Sequence, residues 1–177
     1  MHPLLRTCGP PEPDATATRP RPSLTVPRRA AALLLAGLVG ACSGSPSDDR
    51  RSEAKAAAPL GERLAGASSA AGAAIFRQCA ACHVVGQGAG DRDGPNLYGV
   101  LGKRVGHASD RFGTTAALRS VGGTWTFARM DTWLRNPREF VPGTRMAFPG
   151  LPNGVDRADV IAYLNANGSH LPLPNGQ

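Results

Sequence analysis

Cys79-Ala80-Ala81-Cys82-His83 constrains this chain more than any other stretch, because it sets two thiols and an imidazole within five residues. A spacing of three puts both sulfurs on one side of a helical turn. C-x-x-C-H is the attachment sequence of a covalently bound c-type haem. Each thiol adds to a vinyl group on the haem edge, and the next residue brings its imidazole to the iron as proximal ligand. The same pair is also half of a tetrahedral zinc site, which needs two further ligands, usually as a second close pair. Beyond His83 there is no cysteine and only His107 and His170, far apart. A thioredoxin-like redox pair wants a βαβ context, and no strand pattern is present.

The N-terminal segment sets the compartment. Arg28-Arg29 precede Ala30 to Val39, an apolar run of ten residues, too short to span a bilayer. A basic region followed by a short apolar one reads as a secretory signal over residues 1–41. Residues 1–25 are too long and too rich in proline for such a signal and read as a misassigned upstream start, with Val26 as the alternative. The signal ends in Val39-Gly40-Ala41-Cys42, which resembles the lipobox of bacterial lipoproteins. Cys42 is therefore the expected lipidation site, anchoring the chain on the periplasmic face of a bacterial membrane; the alternative is a soluble periplasmic protein. The cysteines then resolve as Cys42 lipidated, Cys79 and Cys82 on haem, and Cys8 outside the mature chain. Export suits this assignment, since free thiols do not persist in an oxidising compartment.

Residues 42–69 are dominated by Ala, Ser, Gly and Pro, and read as a flexible tether with a root-mean-square span of roughly 30 Å. Residues 70–168 form the expected folded domain, and 169–177 a flexible tail. The reading within the domain is all-α. Ser69 caps a helix from Ala70 to about Ala80; Asn96 to Leu101 makes a short helical turn; Thr115 to Val121 makes another. Thr126 caps a helix in which Phe127, Met130, Trp133 and Leu134 keep a helical period, ended by Asn136-Pro137. Asp156, with Asp159 three residues on, opens a last helix that Asn167-Gly168 stops. Aromatic residues are 5% of the chain, so the side-chain core is thin, and a buried haem would supply apolar bulk.

A second axial ligand is expected in Val141-Pro142-Gly143-Thr144-Arg145-Met146-Ala147-Phe148-Pro149, a segment too broken for helix or strand. Met146 there is not ordinary core filler, whereas Met130 falls on the helical period and reads as core. A thioether ligand raises the reduction potential and suits electron transfer. Ligation by His107 or His170 would lower it, and an open sixth site would favour gas binding or peroxide chemistry.

These motifs, in order and spacing, resemble a class I cytochrome c of the mitochondrial and bacterial c2 type. The likeness runs from about Gly72 to Asn165. It takes in Gly72 and Phe76, the haem-attachment sequence, Gly94-Pro95-Asn96-Leu97, Gly122 with Trp125, Leu134-Arg135-Asn136-Pro137, the Met146 segment, and Ile161-Ala162-Tyr163-Leu164. The resemblance implies helices and long loops wrapped around one covalent haem c and its iron. It implies thioethers at Cys79 and Cys82, with His83 proximal and Met146 distal. It gives Pro95 the carbonyl that holds the other imidazole nitrogen, and Trp125 an indole N–H for a haem propionate. Two positions depart from the family pattern: Thr114 and Trp133 stand where tyrosines are usual. Lys103 replaces an arginine that commonly supports the propionates, with Arg104 beside it.

From Cys42 onward fifteen basic residues face eleven acidic ones, too modest and dispersed an excess for nucleic-acid binding. The expected function is one-electron transfer by a monomer between membrane respiratory or photosynthetic complexes, a reductase and a terminal oxidase, with no substrate transformed. The alternative is a haem enzyme or ligand sensor with a labile sixth position.

Overall fold

The computed structural model describes residues 49–174. The signal region, the upstream start and Cys42 lie outside the described residues. Among the described residues the regular structure is helical: α1 (Glu53–Ala57), α2 (Leu60–Ala65), α3 (Ser69–Phe76), α4 (Ala116–Ser120), α5 (Phe127–Arg135), α6 (Pro137–Phe140) and α7 (Gly154–Leu164), which runs on into a wider turn at Asn165–Ser169. The nearest approach to a sheet is one antiparallel bridge between Arg104 and Thr124, so the all-α reading holds.

α7 is the centre on which α1, α2, α3 and α5 pack. Val155, Ala158, Val160, Ile161, Ala162 and Leu164 on it are all buried, the pattern of a helix covered on most sides. α3 crosses α7 so closely that a Cβ on Gly72 would collide with the backbone carbonyl of Asp159 and with the Tyr163 side chain. Beside that crossing the rings of Phe76 and Tyr163 lie 5.1 Å apart at 49°.

Local chemistry explains most helix boundaries. Thr115 and Thr126 accept from the backbone N–H groups of Leu118 and Arg129; Thr126 caps α5 as expected, and Thr115, expected as the first helical residue, caps α4. Asn136 ends α5 and also caps α6, whose first residue is Pro137. Other boundaries differ from expectation. Ser68, one residue earlier than Ser69, caps α3 by accepting from Ala71 N–H, and α3 gives way to tight turns after Phe76. Asn96 to Leu101 is a loop with a single turn. Asn153 starts α7 by accepting from the Val155 and Asp156 N–H groups. Asp159 is not a capping partner: it is 1% exposed, and its Oδ1 receives Arg50 Nη2 and the Ser68 N–H, both at 2.7 Å.

The largest correction concerns the tether. Residues 49–68 are folded onto the domain. Leu64 is 1% exposed, and Gly154 lies against the Ala56 carbonyl and the Arg63 side chain. Arg63 reaches both carboxylate oxygens of Asp131 at 2.8 and 3.1 Å, and the carbonyls of Gly154 and Ala58 at 2.8 Å. A composition poor in large apolar residues is offset here by Leu64, with Leu60 packed beside the core, and by ion pairs to distant helices.

The tail is corrected in part as well. The Asn165 side chain clasps the backbone of Leu171, accepting from its N–H at 2.9 Å and donating to its carbonyl at 2.8 Å. Ser169 Oγ accepts from Leu101 N–H at 3.0 Å, so residues 169–171 belong to the fold.

Candidate functional site

α3 and the turns after it present Cys79 and Cys82 to a cavity of about 390 Å³ whose wall is largely apolar. That volume falls in the usual range of roughly 300–1,000 Å³ for cofactor sites. Cys79, Cys82, His83, Pro95, Trp125 and Met146 all border it, which brings together the two attachment thiols, the two expected axial ligands and the two residues expected to support them. The two cysteines are not joined to each other by a disulfide. Cys79 is half-buried against the core, and burial raises its thiol pKa.

His83 is held from behind. Its Nδ1 lies 2.8 Å from the Pro95 carbonyl, which fixes the ring and leaves Nε2 for another partner. Gly94 packs flat against the imidazole, where any Cβ would overlap the ring. The loop carrying Gly94 and Pro95 is tied down in turn. Gly94 N–H donates to the Cys82 carbonyl at 2.9 Å and Leu97 N–H to Val84 at 2.8 Å. Asn96 Nδ2 donates to the carbonyls of Gly86 and Ala89 at 2.8 and 2.9 Å. Asp91 accepts from Asn96 N–H and from the Ser109 hydroxyl, both at 2.7 Å, and these bonds hold its carboxyl below the usual carboxylate range.

The opposite wall comes from α5 and the loop after α6. Met130 and Trp133 are buried and border the cavity with Leu134. Met130 is thus core, as its period suggests, and also part of the site, a second role that periodicity alone does not separate. Trp125, Trp133 and Phe140 form an aromatic cluster with ring centres 5.6, 6.3 and 6.1 Å apart. Trp125 is 4% exposed, and its indole N–H has no hydrogen-bond partner among the described residues. An indole on a cavity wall suits a carboxylate brought in by the bound group.

Met146 is half-buried in an irregular segment, its N–H near Thr144 Oγ1 at 3.2 Å. Thr114 borders the cavity, but its hydroxyl donates to the Gly106 carbonyl at 2.7 Å. Lys103 is turned elsewhere: its Nζ donates to the carbonyls of Tyr98 and Ala108 at 3.2 and 2.9 Å. Neither it nor Arg104 borders the cavity, and neither His107 nor His170 does. No group of three or more His, Cys, Asp or Glu residues suited to a metal ion occurs among the described residues, so a zinc cluster finds no ligand set there. Two thiols on one edge, a restrained imidazole, a thioether and apolar walls fit a haem.

Comparison with known proteins agrees with this chemistry. Residues 69–167 match the family model "Cytochrome c". A "Cytochrome c homolog" from Bradyrhizobium diazoefficiens is 46% identical over 122 residues, covering 68% of this chain and 66%, just under two thirds, of that protein. A "Cytochrome c2" from Rhodoblastus acidophilus is 43% identical over 95 residues, covering 54% of this chain and 88% of the relative. The solved structure of cytochrome cH from Methylobacterium extorquens aligns with a TM-score of 0.53 at 38% identity, covering 56% of this chain and 98% of that one. With its fold, its cavity bordered by Cys79, Cys82, His83 and Met146, and a family match over more than half its length, the chain belongs to the cytochrome c family, a haem c-containing electron carrier and not an enzyme.

Proposed function

We propose that this protein carries single electrons between membrane respiratory or photosynthetic complexes, with Cys79 and Cys82 holding the haem covalently and His83 and Met146 as its axial ligands. The observation that carries this reading is the His83 imidazole fixed at 2.8 Å from the Pro95 carbonyl, on a cavity that Cys79, Cys82 and Met146 share. When bound, the haem supplies an iron that changes oxidation state by one electron. The protein's part is to keep both ligands in place through that change. Pro95 and Gly94 hold His83 in one orientation, which limits the rearrangement each transfer requires. The packed Trp125, Trp133 and Phe140 side chains keep water from the cavity wall, and the Trp125 indole N–H offers a donor to a propionate. A thioether at Met146 favours the reduced state and a high potential.

Met146→Ala tests the ligand assignment. The reduced variant is expected to bind carbon monoxide and to show a lower potential, while the unaltered protein resists carbon monoxide. A variant that kept both its potential and its resistance would remove Met146 from the site. We further propose that Cys42 carries a lipid that holds the protein at the periplasmic face of a bacterial membrane, supported by the Val39-Gly40-Ala41-Cys42 sequence. Labelled fatty acid supplied to growing cells should enter the protein and be lost from Cys42→Ser; equal labelling of the two would refute it.

A further inference from the structure

No residue of the arm 49–65 borders the cavity, yet Arg63 on that arm is wired to both structural supports of Met146. The first support is α5. Asp131 sits on the side of α5 away from Met130 and Trp133, and it receives Arg63 at 2.8 and 3.1 Å and Arg157 Nε at 2.9 Å. The second is the end of the irregular segment that holds Met146. Arg157 Nη1 donates to the carbonyls of Leu151 and Pro152, both at 2.8 Å, and Leu151 N–H donates to the α5 carbonyl of Leu134 at 2.7 Å.

Arg63 and Arg157 are 7% and 8% exposed and Asp131 16%. Removing one partner from so enclosed a network leaves the others under-satisfied. Without Arg63, Asp131 has Arg157 as its one remaining cation partner among the described residues, and Arg157 has two carbonyls to hold besides. The segment 141–150 has no helix of its own beyond Phe140, so its position depends on the packing of Val141 and Phe148 against the core and on where its ends are tied.

We propose that Arg63 is a positioning residue for Met146, acting through Asp131 and Arg157, and that the N-terminal arm is thereby part of the haem site. This rests on the reading of Met146 as an iron ligand. The test compares the haem-loaded full chain with Arg63→Gln, Arg63→Lys and Leu64→Ala. Leu64→Ala weakens the packing of the same arm but leaves the ion network intact. Arg63→Gln should bind carbon monoxide in the reduced state about tenfold more tightly than the unaltered protein, as expected for losing a hydrogen bond between charged groups. It should also lower the potential and speed hydrogen exchange at Leu151 N–H. Arg63→Lys should recover part of each change, and if Arg63→Gln does not fold, the lysine variant carries the comparison at smaller amplitude. Leu64→Ala should lower global stability without altering carbon monoxide binding.

Native carbon monoxide resistance and native Leu151 protection in Arg63→Gln would overturn the proposal. So would Leu64→Ala variants that loosen the site to the same degree. Free carbon monoxide binding by the unaltered protein would overturn the ligand reading and this inference with it, whereas a resistant unaltered protein beside a resistant Arg63→Gln overturns this inference alone.

Discussion

At Asp131 two opposing effects meet. Burial raises its carboxyl pKa, and the bonds from Arg63 and Arg157 lower it further than burial raises it, leaving a net depression. A carboxylate whose folded pKa lies below its unfolded value of about 3.9 stabilises the fold fully above that value. The contribution is lost as pH falls through the depressed folded pKa. Asp131→Asn should therefore be less stable at neutral pH and lose less further stability below about pH 4. Urea midpoints measured against pH check this, and parallel acid limbs for the two proteins would refute it. The sites at this scale differ in how openly they are written. Cys79, Cys82 and His83 lie within five residues, and Gly94-Pro95 close behind them, so the chemistry shows in local spacing. Arg63 and Asp131 are 68 residues apart, and nothing in the neighbourhood of either residue announces the other.

The elements show the same contrast. α4 and α5 begin at the threonines the sequence marks, because a threonine before a helical period has one short-range use, to accept from the N–H three residues on. α7 is harder. Asn153 and Asp156 are both plausible starts, and the spacing of Asp156 to Asp159 imitates a capping box while Asp159 is in fact spent on Arg50 and Ser68. The arm reads as linker because its stabilisation comes from partners outside any local window, and tertiary contacts override a composition poor in large apolar groups. At the α3–α7 crossing the requirement is backbone proximity. Gly72→Ala should destabilise the protein by about 2–3 kcal/mol, the usual scale for forcing atoms into a packed contact, as measured by denaturant unfolding. A loss below half a kilocalorie would mean that the two helices part without strain.

Across the whole molecule, the all-α class and the haem cavity follow from the motif and its register. The extent of the domain does not, since its N-terminal edge depends on α7, nearly a hundred residues further on. That placement also orders the birth of the fold. A chain is synthesised from its N-terminus, and α7, the helix on which α1, α2, α3 and α5 rest, is among the last parts to emerge. Until it arrives Leu64 and Phe76 lack the helix that covers them, and Asp131 has neither Arg157 nor a docked Arg63. Docking of that last helix therefore closes the site, and Cys79 and Cys82 stay reachable for covalent attachment until the chain folds onto it.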